Sequence, residues 1–371
     1  MRALLFIALL FCGTAFAHKP SDSYLALHVD DAKISGQWDL ALRDLEFALG
    51  LDANGDGEIT WGELKAKRND VEAYALSRLK ILADGKSCNL VPADFLVDEH
   101  SDGAYAVLRF SADCGARTPA AVEIAYSLFF DLDPTHRGLL RFERAGAAQT
   151  AVLSPERPRL AIQAGEASAL VQFVDYLREG VWHIWIGFDH VLFLVSLLLP
   201  SVLIFKKKTW SGAERFRDAF WDVFKVVTSF TVAHSITLAL AALSVISLPS
   251  RLVESTIALS VVLAALNNLK PLVTGRRWAV AFGFGLIHGF GFASVLADLG
   301  LPQGTLLLAL VGFNLGVETG QLAIVCAFLP AAYALRGTWF YRRLAFGLGS
   351  AAIALVAAVW LIERAFDLKL L

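Results

Sequence analysis

From Ala219 to Ile362 the chain is built mostly of long apolar stretches. Runs of about twenty apolar residues fit membrane spans better than the helices of a soluble core. Spans are expected near residues 182–205, 220–247, 252–270, 278–298, 304–331 and 343–363. Together they predict an all-α six-helix transmembrane domain over residues 182–365.

Lys and Arg concentrate in alternate connections. Lys206, Lys207, Lys208, Arg215 and Arg217 follow the first span, Arg276 and Arg277 the third, and Arg336, Arg342 and Arg343 the fifth. The intervening turns, around Pro249 and Pro302, carry only Arg251. By the positive-inside rule the basic connections are cytoplasmic, which places both ends of the chain outside. Residues 1–17 support the same topology: one Arg, an apolar run too short to span, then an Ala-Phe-Ala pattern ending at Ala17 read as a cleavable signal peptide. The expected location is a bacterial inner (plasma) membrane, multi-pass, with the N-terminal domain and the C-terminus periplasmic or extracellular. A formal net charge of −2 offers no basic field for phosphates and argues against a nucleic-acid partner.

Residues 18–165 read as an exported domain, joined to the spans by a linker or interfacial segment at 166–181. Apolar segments at Tyr24–Val29, Ile34–Leu42, Tyr105–Phe110, Val122–Phe130 and Leu139–Phe142 alternate with turn residues such as Asp30, Asp31, Asp102 and Gly103. That pattern predicts a mainly β, antiparallel, sandwich-like fold. Of four cysteines, Cys12 leaves with the signal and Cys326 lies in an apolar helix. Cys88 and Cys114 remain, and an oxidising compartment favours a disulfide between them. His18 would begin the mature chain, where an α-amine beside an imidazole can chelate copper or nickel.

One insertion breaks the β pattern. Residues 52–63 match a twelve-residue EF-hand loop, with Asp52, Asn54 and Asp56 at positions 1, 3 and 5. Glu58 supplies a backbone carbonyl at 7, Glu63 a bidentate carboxylate at 12, Gly57 the sharp turn and Ile59 the apolar slot. The segments Leu42–Leu49 and Glu63–Leu79 are expected to flank it as helices. Calcium is the predicted ion. EF-hands usually pair, so a single loop points to a structural role.

Ionisable groups inside a bilayer are costly and mark function. The first span holds His183, Asp189 and His190; the second His234 and Ser235; the fourth His288; the fifth Asn314, Glu318 and Gln321. At ~1.5 Å per residue, Asp189, His190, His288 and Asn314 fall roughly 10–15 Å deep, with His234 and Glu318 roughly 20 Å deep. Imidazoles with carboxylates suit a transition metal, nickel, zinc, cobalt, copper or iron, rather than calcium or magnesium. His183 and His190 share a helix face but are ~10 Å apart in a regular helix. Either Gly187 breaks the helix, or the two serve successive outer and inner sites.

At these motifs the chain resembles the HupE/UreJ family of hydrogenase and urease accessory membrane proteins, regarded as nickel permeases. The resemblance covers about residues 180–365. It rests on His183, Asp189 and His190 with the apolar run after them, on the His288-Gly289 pair and on six-helix size. The long exported domain makes the chain similar to the larger, second type of that family. The resemblance implies that His183, Asp189 and His190 select the metal. In this chain the further acid, Glu318, comes from the fifth span.

These readings converge on a permease-like protein that moves a divalent transition metal, nickel first, through a site of His183, Asp189, His190, His234, His288, Asn314 and Glu318. Its expected partners are the metal, the lipid bilayer and a periplasmic protein. No nucleotide-binding loop appears, so the chain does not power transport itself. Two alternatives stay open. Three histidines and an acid can hold zinc with an open position for water, as in an intramembrane hydrolase with Ser235 taking part, although no His-Glu-x-x-His element is present. The chain could also be a membrane-anchored assembly factor for a metalloenzyme.

Overall fold

The structure is a computed structural model that describes residues 22–100, 103–115, 117–144, 147–163, 169–206, 208–291, 303–366 and 368. The signal segment, Cys12, His18, Asp102, Lys207 and Pro302 lie outside the described residues.

The N-terminal half is mostly β. Strand β1 (Asp22–Asp30) turns Leu25, Leu27 and Val29 inward and leaves Ala26, His28 and Asp30 exposed, the two-residue period of a half-buried strand. It pairs antiparallel with β2 (Lys33–Ala41). The remaining strands are β3 (Leu79–Ala83), β4 (Lys86–Ser87), β5 (Asn89–His100), β6 (Gly103–Asp113), β7 (Ala121–Tyr126), β8 (Arg137–Arg144), β9 (Ala147–Leu153) and β10 (Arg159–Gln163). They form a six-stranded sheet in the order β5-β6-β2-β1-β8-β9 and a four-stranded sheet β10-β7-β3-β4. One apolar core joins the sheets: Leu25, Trp38 and Leu108 from the first meet Ile81, Val122 and Ile124 from the second. Cys88 and Cys114, just beyond β4 and β6, are disulfide-bonded.

The expected all-antiparallel arrangement is corrected at one pair. β8 lies parallel to β1, because the chain crosses from the other sheet after β7 and enters β8 from its Arg137 end, beside Asp22. β5 was invisible to alternation for a plain reason: as an edge strand it is exposed on both faces for most of its length.

The insertion after β2 folds as helix α1 (Leu42–Leu49), the acidic loop, then α2 (Trp61–Ala66) and α3 (Arg68–Ser77). The second flank is therefore two helices rather than one, divided at Lys67.

The C-terminal half is helical. Helix α4 (Ala169–Ile186) and α5 (Phe188–Leu198) meet at a 72° bend, and a 3₁₀ turn (Leu199–Val202) leads into the hairpin β11 (Leu203–Lys206) and β12 (Thr209–Gly212). Then come α6 (Phe216–Ala242), α7 (Ser250–Leu269), α8 (Arg277–His288) and α9 (Gln303–Leu335). A π-helical segment (Phe340–Leu348) continues into α10 (Gly349–Phe366). Among the described residues, four helices are long and apolar enough to cross a membrane, with the bent α4–α5 pair a fifth if it counts as one span. The fourth expected span is described as helix only from Arg277 to His288.

The expected stretch 166–181 is helical from Ala169 onward and continuous with His183. It is also where the two halves join. Arg157 Nη1 lies 2.5 Å from Asp175 Oδ1, Thr150 Oγ1 lies 2.7 Å from Tyr176 Oη, and Arg137 Nε is 4.0 Å from Glu179 Oε2. Helix α4 in turn packs on α9 through small residues: a Cβ on Gly316 would stand 2.0 Å from the Leu177 carbonyl oxygen. Only a glycine lets the backbones come so close.

At the far end of the bundle the basic connections gather. Arg336 Nε donates to the Ala213 carbonyl at 2.8 Å, and Arg277 Nη1 donates to Asp222 Oδ2 at 2.5 Å. At the opposite end Arg251 Nε donates to the Ala365 carbonyl at 3.0 Å.

Candidate metal-binding sites

Gly187 decides the geometry of the membrane cluster. Its φ of −72° and ψ of 95° leave the helical region, so α4 stops and α5 starts afresh. The bend brings the rings of His183 and His190 to 4.5 Å between centroids, where an unbroken helix would hold them ~10 Å apart. A Cβ at Gly187 would sit 2.7 Å from both the His183 carbonyl oxygen and His190 Nδ1. The break, of the two possibilities the spacing left open, is what the chain uses.

The His288 ring lies 5.6 Å from that of His190 and packs against Phe193 (4.8 Å) and Phe230 (5.2 Å). Asp189, in the first turn of α5, accepts from the His190 amide at 2.9 Å, and its Oδ1 also lies 2.9 Å from His190 Nδ1. Its other oxygen, Oδ2, is 3.4 Å from Arg364 Nη2.

Hydrogen bonds around two of the histidines fix which nitrogen carries the proton. Ser260 Oγ donates its single proton to the Ile257 carbonyl at 2.6 Å, so it accepts from His288 Nε2 at 2.8 Å. His288 Nδ1 then keeps its lone pair. Asn314 Nδ2 donates to the Leu310 carbonyl at 2.8 Å, which turns its Oδ1 toward His234 Nδ1 at 3.2 Å. His234 Nε2 is the free base. Among the described residues, neither of those two lone-pair nitrogens, nor His190 Nε2, finds a hydrogen-bond partner, although all are buried. Buried polar atoms are nearly always paired, so three such nitrogens in one region demand a reason.

Glu318 stands one turn along α9 from Asn314, ~6 Å by helical rise. Its Oε1 accepts from Thr228 Oγ1 at 2.7 Å, while Oε2 is buried without a partner among the described residues. Beside it Thr231 Oγ1 donates to Gln321 Oε1 at 3.1 Å. The polar groups thus fall in two sets: imidazoles with Asp189, then an oxygen set around Glu318. As they stand, no three His, Cys, Asp or Glu side chains among the described residues are grouped closely enough to hold one ion. Ser235 donates to its own helix, to the Thr231 carbonyl at 2.7 Å.

Arg364, Ser260 and Thr228 were not picked out from the sequence. Arg364 was detectable in principle, as the cation that ends the last apolar run; Ser260 and Thr228 are ordinary span residues with no such signal.

In the sandwich, the loop 52–63 is built by its own side chains. Asp52 Oδ1 and Oδ2 accept from the Gly55 and Gly57 amides at 2.7 and 2.8 Å, Asn54 Oδ1 from Asp56 at 2.8 Å, and Asp56 Oδ1 from Glu58 at 2.9 Å. Gly57 takes the left-handed φ of +85° that position 6 requires. Glu63 reaches back over the loop: Oε1 accepts from the Ala53 amide at 3.0 Å, and Oε2 from the Thr60 amide at 2.9 Å. These bonds, the Thr60 ones foremost, hold the Glu63 carboxyl below its ordinary range.

Among curated proteins no match to the chain is found. Residues 157–364, more than half of the chain, match the family model described as HupE / UreJ protein. With the polar cluster and the apolar helices lying inside that stretch, the chain belongs to the HupE/UreJ family of membrane proteins.

Proposed function

We propose that this protein is a permease that binds a divalent transition metal, nickel first, and passes it through the bundle. The observation that carries the reading is the set of buried, unpartnered lone-pair nitrogens on His190, His234 and His288. Ser260 and Asn314 hold two of these rings in the tautomer a metal needs, the usual work of groups behind a metal ligand. His183 and Asp189 complete a borderline nitrogen–oxygen set that suits nickel, cobalt or zinc better than calcium.

The spread of the groups supports passage rather than permanent capture. A nitrogen-rich station followed by an oxygen station at Glu318 gives an ion somewhere to go, and neither is closed tightly around one point. Permeation needs binding strong enough to enter and weak enough to leave. In this reading six spans lie in a bacterial inner membrane. The sandwich is outside, at the histidine end, and the basic connections are inside.

The loop 52–63 fits calcium by its donors. Asp52, Asn54, Asp56, the Glu58 carbonyl and Glu63 would hold the ion, which would brace the α1–α2 insertion against the sheet. The sandwich then serves as a stable outer module that captures metal or docks a partner, joined to His183 through α4.

The test is nickel, cobalt and zinc entry into vesicles reconstituted with the full-length protein. Saturable uptake is expected, lost in His190→Ala and strongly reduced in Glu318→Gln, with both variants folded and inserted. Tightly bound stoichiometric zinc without flux would overturn the transport reading in favour of an intramembrane hydrolase.

A further inference from the structure

Asp189 supplies the carboxylate of the histidine cluster, and that carboxylate is shared. One oxygen faces His190; the other lies 3.4 Å from the guanidinium of Arg364, contributed by the last turn of α10. The rest of that guanidinium is also held. Nη1 donates to the Glu254 carbonyl at 3.3 Å, and Cζ lies 5.9 Å from the ring of Trp360, one turn back. Both partners are largely sheltered, with side chains 18% and 19% exposed. Arg364 is therefore a fixed positive charge on the carboxylate that the histidine cluster would offer a cation.

A guanidinium and a dication cannot both sit against one carboxylate in a partly desolvated site without strong repulsion. An incoming metal must displace Arg364 from Asp189. The displaced group has other acceptors at hand, the Glu254 carbonyl and the face of Trp360, so displacement need not unfold α10.

We propose, resting on the reading of the cluster as a transit site for a divalent cation, that Arg364 is the resident counter-ion of Asp189. It holds the carboxylate between ions and competes with each arriving cation, which keeps affinity low enough for release. It is a positioning residue that tunes affinity, and it does not ligate the metal.

The test uses the purified full-length protein, with nickel(II) binding followed by calorimetry and nickel uptake followed in vesicles. Arg364→Gln is expected to bind nickel at least about tenfold more tightly while turning over more slowly. Arg364→Lys, which keeps the charge, should return most of the weak binding. A merely structural loss would weaken binding, the opposite sign. On the wild-type protein, saturating nickel should speed amide exchange in residues 360–366 as Arg364 lets go of Asp189. Unchanged or weakened binding in Arg364→Gln, or no change in exchange at 360–366, overturns the proposal. If wild-type protein binds no nickel, cobalt or zinc, or His190→Ala binds as wild type does, the transit-site reading itself falls.

Discussion

His136 makes the stability of the sandwich depend on pH in a direction that can be worked out. The ring is buried, and its Nε2 lies 2.6 Å from Tyr126 Oη, which is 2.5 Å from Ser23 Oγ. Trp38 Nε1 donates to Ser23 Oγ at 3.4 Å, and indole can only donate. The arrangement that uses every proton runs Trp38 to Ser23 to Tyr126 to His136, so Nε2 accepts and the ring is neutral. Protonating it would bury a charge in an apolar core and reverse the chain, leaving the Ser23 hydroxyl proton no acceptor among these groups. Burial first, then the charges of Arg137 and Arg43, push the His136 pKa from 6.5 down to about 3. The unfolded chain takes up this proton near pH 6.5 and the folded one does not. The contribution is therefore complete above 6.5 and is lost as pH falls toward 3. By pH 5 the loss from this one group is about 2 kcal/mol. Urea unfolding of the sandwich in the full-length protein, read by pulse proteolysis at pH 7.5 and 5.0, measures it. His136→Gln keeps an acceptor for Tyr126 and removes the titration. The wild type should lose about 2 kcal/mol more than the variant between the two pH values, carboxylates cancelling in the difference. A difference below about 0.5 kcal/mol would refute the neutral, hydrogen-bond-accepting ring.

Three further outcomes follow from other parts of the molecule. Gly316→Leu should force α4 away from α9, since even a Cβ there meets the Leu177 carbonyl oxygen at 2.0 Å; thermal unfolding in detergent should show a cost of at least about 1–3 kcal/mol. Replacing Cys88 and Cys114 by Ser opens a disulfide spanning 26 residues and should lower sandwich stability by about 3 kcal/mol in the same urea assay. Calcium should raise the unfolding midpoint of the wild-type sandwich, chelator should reverse it, and Glu63→Gln should need at least about tenfold more calcium for the same rise, because a bidentate ligand is lost.

How much of this was readable beforehand differs between the halves. In the sandwich the strands β1, β2, β6, β7 and β8 announced themselves by their apolar residues. The α1 helix was legible at both ends. β5 carried no such signal, being an exposed edge, and β3, β4, β9 and β10 were missed with it. The parallel placement of β8 beside β1 is a long-range choice that no local period encodes. Nor does any local pattern show that Arg137, at the start of β8, faces Glu179 across the junction.

The membrane cluster shows the same limit from the other side. Spacing correctly forbade His183 and His190 from meeting on a straight helix, and Gly187 was the visible place for a break. What spacing could not supply was the direction of the bend, which depends on α4 lying against α9 at Gly316 while α5 packs on α7. Those contacts make the polar residues a site. A histidine that reads as one costly group in a span becomes a ligand candidate only when Ser260 takes its Nε2 proton, or Asn314 its Nδ1 proton, and leaves the other nitrogen bare. Of the partners doing this, Asn314 stood out beside Glu318 in the fifth span, whereas Ser260 has no distinctive pattern around it. The electrostatic balance is less local still. Asp189 and Arg364 are separated by most of the bundle's sequence, and only the packing of α10 along α7 sets them 3.4 Å apart. The residue types thus disclosed the chemistry available to the bundle, and the helix contacts decide which nitrogens and oxygens are left for an ion.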